Sequence, residues 1–318
     1  MPPVDPSRPG RRTLLSGATA LGVGLLGGCG IRLEDDAPQV PLVPARSPVA
    51  GEDHLTEMTR ESAALAHAAG TAPGEVAAGL VAVHQRQVTV LRTTLLRRRV
   101  PADAMDVPPS PGITPSPTAP SPTAPVPTAR AVATLGAAEA AGLVRAGEAA
   151  GVVDDLLGPA VAVHAQRFAA ASLLGVPSAQ PPAVAVDGDV VADLVDAVDA
   201  VVYFLQVAAA RSDGARRKRA DATLGSLGAL RVEVAAGGVD PSPALGHPLP
   251  FAVEGGAAVD RLARTALGDL RATLAASVGA LVEAHDAAGA AASVRWLGAT
   301  EVETHRWGLP LAPFPGLT

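Results

Sequence analysis

Cysteine is nearly missing from this chain: Cys29 is the only one in 318 residues. That excludes an internal disulfide, a thiolate zinc site and any paired-cysteine redox chemistry. Asparagine is absent, lysine occurs once (Lys218) and isoleucine twice (Ile31 and Ile113), while Ala, Gly, Arg and Pro are in excess. This is the imprint of a GC-rich genome, so an alanine-rich stretch argues less for helix here than it ordinarily does. Aromatic residues make up only 2% of the chain, too few for base-stacking platforms or sugar-binding clefts. A net charge of −6 also disfavours a nucleic-acid partner.

The cysteine stands just behind a short apolar run. Arg8, Arg11 and Arg12 form a basic segment, and Leu14 to Leu26 follow as an apolar stretch, shorter than the ~20 residues that cross a bilayer. Leu26-Gly27-Gly28-Cys29 is similar to a bacterial lipobox, which implies diacylation of the Cys29 thiol and cleavage before it. Arg11-Arg12-Thr13-Leu14-Leu15 resembles a twin-arginine export signal. Residues 1–28 are thus expected to be a signal peptide, and 29–50 a tether rich in Pro and acid. The protein is expected on the outer face of the cytoplasmic membrane, held by lipid. Gly22 to Gly27 fits G-x-G-x-x-G, but the dinucleotide fingerprint needs a strand before it and a helix after it, and here it falls in the signal peptide.

Beyond residue 50 the apolar spacing is helical. Leu80, His84, Val88, Leu91 and Leu95 recur at steps of three and four, as do Val259, Leu262, Ala266, Leu270, Leu274, Val278, Leu281 and His285. Asp260 and Arg264 stand off that second stripe as an i,i+4 pair. The pattern predicts eight helices, over roughly 52–69, 75–98, 131–150, 152–175, 189–211, 214–236, 257–287 and 289–306. Short turns join the first and second helices of each half, and the third and fourth; long connections at 101–129 and 237–256 separate those pairs. Short, long, short is the connectivity of a four-helix bundle with one long crossover, the ferritin-like arrangement. The fold expected is all-α, in two pseudo-repeated halves, 51–176 and 189–318.

The Pro-, Ser- and Thr-rich tract within 101–129 favours extended polyproline conformation and reads as a solvated crossover open to O-glycosylation. Arg97-Arg98-Arg99 and Arg216-Arg217-Lys218-Arg219 read as solvated helix ends.

Three places in the second half carry a resemblance: "AVDAVVYF" at 197–204 with Tyr203, "LGHPLPFAV" at 245–253, and "HRWGLPLAPFPGLT" at 305–318 with Trp307, Phe314, Pro315, Gly316 and Leu317. Together they resemble a ferritin-like domain family of uncharacterised function found in actinobacterial membrane lipoproteins. The resemblance covers residues 189–318 and implies a ferritin-like bundle. Members usually carry Glu-His in the first of these helices, where this chain has Val198-Asp199.

A ferritin-like di-iron centre takes a Glu from each of two helices and Glu-x-x-His from each of the other two. No Glu-x-x-His occurs in the chain. The nearest echoes are "VAVHQRQ" and "VAVHAQR", which set His84 and His164 on apolar stripes, three residues before Gln87 and Arg167. Glu301 and His305 lie one turn apart, with His285 on the preceding helix. These four residues, His84, His164, Glu301 and His305, are the candidate metal ligands, and Glu57, Glu61, Glu139 and Glu148 are the carboxylates that could join the first two. The expectation is that both imidazoles face the bundle interior, apart from each other and without a carboxylate, and that Glu301 and His305 form an exposed salt-bridged helix end. No metal, cofactor or catalytic residue is assigned. The function expected is a non-catalytic interaction or structural module whose partners are the membrane and an envelope protein. A metal-binding protein or oxidase with an unusual ligand set, and a binder of apolar ligands, are the alternatives.

Overall fold

In the computed structural model, residues 46–106, 128–176, 186, 188–237 and 246–317 are described. The expected signal peptide with Arg11 and Arg12, Cys29, most of the expected tether, and stretches of both long connections lie outside them. All regular structure among the described residues is helical. The helices are α1 (Glu52–Thr71), α2 (Glu75–Arg97), a short α3 (Ala102–Asp106), α4 (Thr128–Ala141), α5 (Asp154–Leu173), α6 (Asp189–Ala210), α7 (Gly214–Val234), α8 (Gly255–Ala276) and α9 (Val278–Arg306).

Two predicted helices are built differently. The third, expected as one piece over 131–150, leaves the α conformation after Ala141 and continues as a 3₁₀ helix, Gly142–Gly151. The seventh, expected over 257–287, breaks at Ser277, where α8 and α9 meet at a 62° bend. Asp286, inside α9, has φ 51° and ψ −127° and marks a second kink. Periodicity could not reveal the bend, because Leu274, Val278 and Leu281 are buried on both sides of it and keep the apolar steps unbroken. Asp260 forms its ion pair with Arg216 of α7 (3.0 Å), across helices and not along its own.

In the first half α1 packs on α2 and α4, and α5 packs on the same two helices. In the second, α6 and α9 each pack on α7 and α8. Each half therefore closes a ring of four helices. From Pro48 the chain is one compact unit, and its seam is α5 against α9. Every residue of α5 from Ala160 to Ala171 is buried; a helix apolar nearly all round belongs in the middle of a core. Gly298 makes the seam possible, since a Cβ there would come within 2.8 Å of the Ala165 carbonyl oxygen.

The second core is built on Leu194, Val198, Leu205, Leu267 and Trp296, and its half also buries Thr223, Glu301 and Glu303. The first mixes Leu55, Met58, Leu91, Leu95 and Val161 with fully buried polar side chains. No single helix among the described residues is long and apolar enough to cross a membrane.

Candidate functional site

The polar interior of the first bundle begins on α2. His84 and Gln87 lie one turn apart on its inward face, neither exposed to solvent, while Val88, expected on that stripe, is only half-buried. The His84 Nδ1 atom lies 2.9 Å from Gln87 Oε1, an acceptor, so Nδ1 carries a proton. The Nε2 atom lies 2.7 Å from Glu139 Oε1 on α4, also fully buried. Gln87 in turn donates from Nε2 to Gln166 Oε1 on α5 (3.1 Å) and to the Pro313 carbonyl of the C-terminal segment (2.8 Å).

Alongside runs a buried ion pair. Arg167 of α5 donates from Nη1 to Glu61 of α1, and from Nη2 to the Met58 carbonyl and Ser62 Oγ, both at 3.2 Å. Its guanidinium has room only because residue 142 is glycine: a Cβ there would sit 2.6 Å from Arg167 Nη1. A charge in so dry a place persists because partners on three sides replace its water.

His54, in the first turns of α1, completes the cluster. Its Nε2 lies 3.3 Å from Nε2 of His164, with ring centroids 5.3 Å apart. Its Nδ1 lies 3.2 Å from Glu148 Oε2 on the 3₁₀ segment. Glu148 is held by Arg145 at 2.8 Å, and this bond pulls the carboxyl below its usual range. One tautomer set fits: His54 donates from Nδ1 to Glu148 and accepts at Nε2 from the Nε2–H of His164. The His164 Nδ1 then has no hydrogen-bond partner among the described residues. Burial lowers the His54 pKa, against the pull of Glu148. Burial, aided by the charge of Arg167, holds His164 well below the ordinary imidazole range.

Both candidate histidines of this half face the interior as expected, but the expectation that no carboxylate joins them fails. Glu139 takes His84, because a buried Nε2 left unpaired would cost ~1–3 kcal/mol. Glu148 reaches the His164 pair through His54. The other two glutamates are also occupied, Glu61 by Arg167 and Glu57 by Arg60 at 2.6 Å. The sequence reading missed His54, Ser62, Gln166 and the inward aim of Arg167. The signal was present in α1, where positions 54, 58, 61, 65 and 69 form one helical stripe and all are buried.

In the second half Glu301 and His305 do not converge. Glu301 is fully buried, which corrects the expected exposed helix end. It accepts from Arg271 Nη1 (2.8 Å), Thr304 Oγ1 (3.2 Å) and the Ala312 amide (2.7 Å). His305 Nδ1 lies 3.2 Å from the Leu309 carbonyl. Val198 is core, and Asp199 pairs with Arg231. Trp307 donates from Nε1 to Thr223 Oγ1 (3.0 Å), which donates to Glu303 Oε2 (2.8 Å). Of the basic clusters, Arg98 pairs with Asp155, Arg216 with Asp260 and Arg217 with Asp221. Among the described residues no three His, Cys, Asp or Glu side chains gather as a metal site. Comparison of the chain with protein-family models, curated proteins and solved structures finds no match.

Proposed function

We propose that this protein is a lipid-anchored module of the cell envelope whose helical body is non-catalytic, a degenerate ferritin-like bundle used for interaction or support. The observation that carries the reading is the Arg167–Glu61 pair. The guanidinium lies among inward-facing groups of α1 and α5, so a fixed protein cation already answers the carboxylate that a metal would need. Glu139 and Glu148 are likewise committed to His84 and Arg145. The lipobox at Leu26–Cys29 supports anchoring, since two acyl chains hold a protein stably where one binds only marginally. The resemblance of 189–318 to the ferritin-like lipoprotein family supports the bundle type.

Fractionation of the native host, expressing wild type or Cys29→Ala, tests the anchor. Wild type should need detergent for release, and the variant should accumulate unprocessed or be released. A Cys29→Ala protein that is mature and still needs detergent overturns the assignment. Metal analysis of wild type, purified without chelator, tests the body: stoichiometric iron or manganese would favour the metal-binding alternative and overturn the module.

A further inference from the structure

His54 and His164 meet in an arrangement that the proposed function leaves unused. They are 110 residues apart, with side chains nearly closed to solvent, and their Nε2 atoms are 3.3 Å apart. Two ring nitrogens at that distance have room for one proton between them. With His54 Nδ1 committed to Glu148, that proton belongs to His164 Nε2, and the next proton must go to the buried His164 Nδ1, which has no acceptor among the described residues.

The surroundings decide what such a proton costs. The charged groups facing the pair are Glu61 from α1, Arg145 and Glu148 from the 3₁₀ segment, and Arg167 from α5. Arg145 opposes protonation of both rings and Arg167 that of His164, while Glu148 and Glu61 favour protonation of His54. Arg167 is already held by Glu61, Ser62 and the Met58 carbonyl. A further cation inside this end of the bundle favours entry of water.

We propose that the His54–His164 pair is an acid-operated latch: with both rings neutral, one N–H···N bond ties the start of α1 to α5, and uptake of a further proton opens that end of the first bundle. The parts free to move are few. The entry to α1 is held by the Val49–Glu52 turn bonds of 2.9 Å and a 3.3 Å bond from the Val153 amide to the Ala50 carbonyl. The 3₁₀ segment is held on this side by Arg145 and Glu148. The compact body begins at Pro48, just before α1. This inference does not depend on lipidation of Cys29 and survives if the anchor assignment fails.

Hydrogen exchange of the full chain between pH 7.5 and 5.0, corrected for intrinsic rates, tests it. Protection of amides in 52–62 and 142–151 should fall at least tenfold more than protection in α6 and α8. His164→Gln should remove that pH dependence. Two surface-side variants separate a latch from mere packing. Arg145→Gln removes a cation facing both rings and should move the midpoint of opening to higher pH. Glu148→Gln removes the carboxylate that favours His54⁺ and should move it lower. Uniform loss of protection along the chain, no pH dependence at 52–62, or unchanged midpoints in both variants would overturn the latch.

Discussion

His84 Nε2 lies 2.7 Å from Glu139 Oε1, and neither side chain has any exposure to solvent. Because His84 Nδ1–H is spent on Gln87, a single proton is held between imidazole and carboxylate, wherever along the bond it rests. Such a pair contributes little net stability but is costly to break: removing one partner of a buried pair costs ~3–5 kcal/mol, whereas replacing both with apolar groups is often neutral. His84→Leu and Glu139→Leu should each destabilise the protein by about 3 kcal/mol or more. The double variant should be more stable than either single one. Urea unfolding of the four proteins measures this, and additive losses would mean that the two side chains do not act as a unit.

Gly142 and Arg167 give a second, steric prediction. Alanine at 142 places its Cβ 2.6 Å from the guanidinium, which is locked to Glu61, Met58 and Ser62 and cannot swing aside. Overpacking of this kind costs ~1–3 kcal/mol, so Gly142→Ala should lower stability by that amount. The penalty should shrink when Arg167→Met is already present, since a flexible thioether yields where the bonded guanidinium does not. Equal penalties in both backgrounds would show that the crowding arises elsewhere.

The helices were legible because Leu, Val and Ala recur at three- and four-residue steps: five of the eight expected segments match single helices with ends shifted by no more than two residues, and a sixth, 289–306, matches α9 beyond its kink at Asp286. The break at Ser277 was not legible, since the apolar stripe runs through it unchanged. The inward aim of His84 and His164 followed from their neighbours, Leu80 and Ala160. Their partners did not. Gln87, Glu139 and Arg167 are residue types that ordinarily face water, and only the ring of four helices shows which of them meet. Glu301 misled for the same reason: its burial depends on Arg271 and on a C-terminal segment that folds back to offer the Ala312 amide.

Stability should fall as the medium becomes mildly acidic. The folded state holds His54 and His164 below the ordinary imidazole pKa, whereas the unfolded chain titrates near 6.5. Above that value neither state binds these protons, and the stabilisation from keeping the rings neutral is fully present. Below it the unfolded state gains protons that the native state refuses, and stability is lost by up to ~1.4 kcal/mol per pH unit for each histidine. Denaturant midpoints at pH 7.5, 6.5 and 5.5 should therefore decline, and His164→Gln should flatten the decline. A constant midpoint over that range would contradict neutral, buried rings.

The C-terminal segment joins the polar interior of one bundle to the buried carboxylate of the other. The Ala312 amide donates to Glu301 at 2.7 Å, and the adjacent Pro313 carbonyl accepts from Gln87 at 2.8 Å. Phe314 packs against the first core. Consecutive residues thus satisfy one group from α9 and one from α2, helices in different rings. Truncation after Gly308 would strip both bonds and uncover Phe314's site. Each orphaned buried group costs ~1–3 kcal/mol, so the shortened chain should lose about 3 kcal/mol or more once lost packing is added. The loss should reach both bundles: amides of α2 and of α8–α9 should exchange faster together, whereas a segment serving one bundle would loosen that one alone. A truncated chain with native stability and unchanged exchange would show that the seam between α5 and α9 holds the two rings without it.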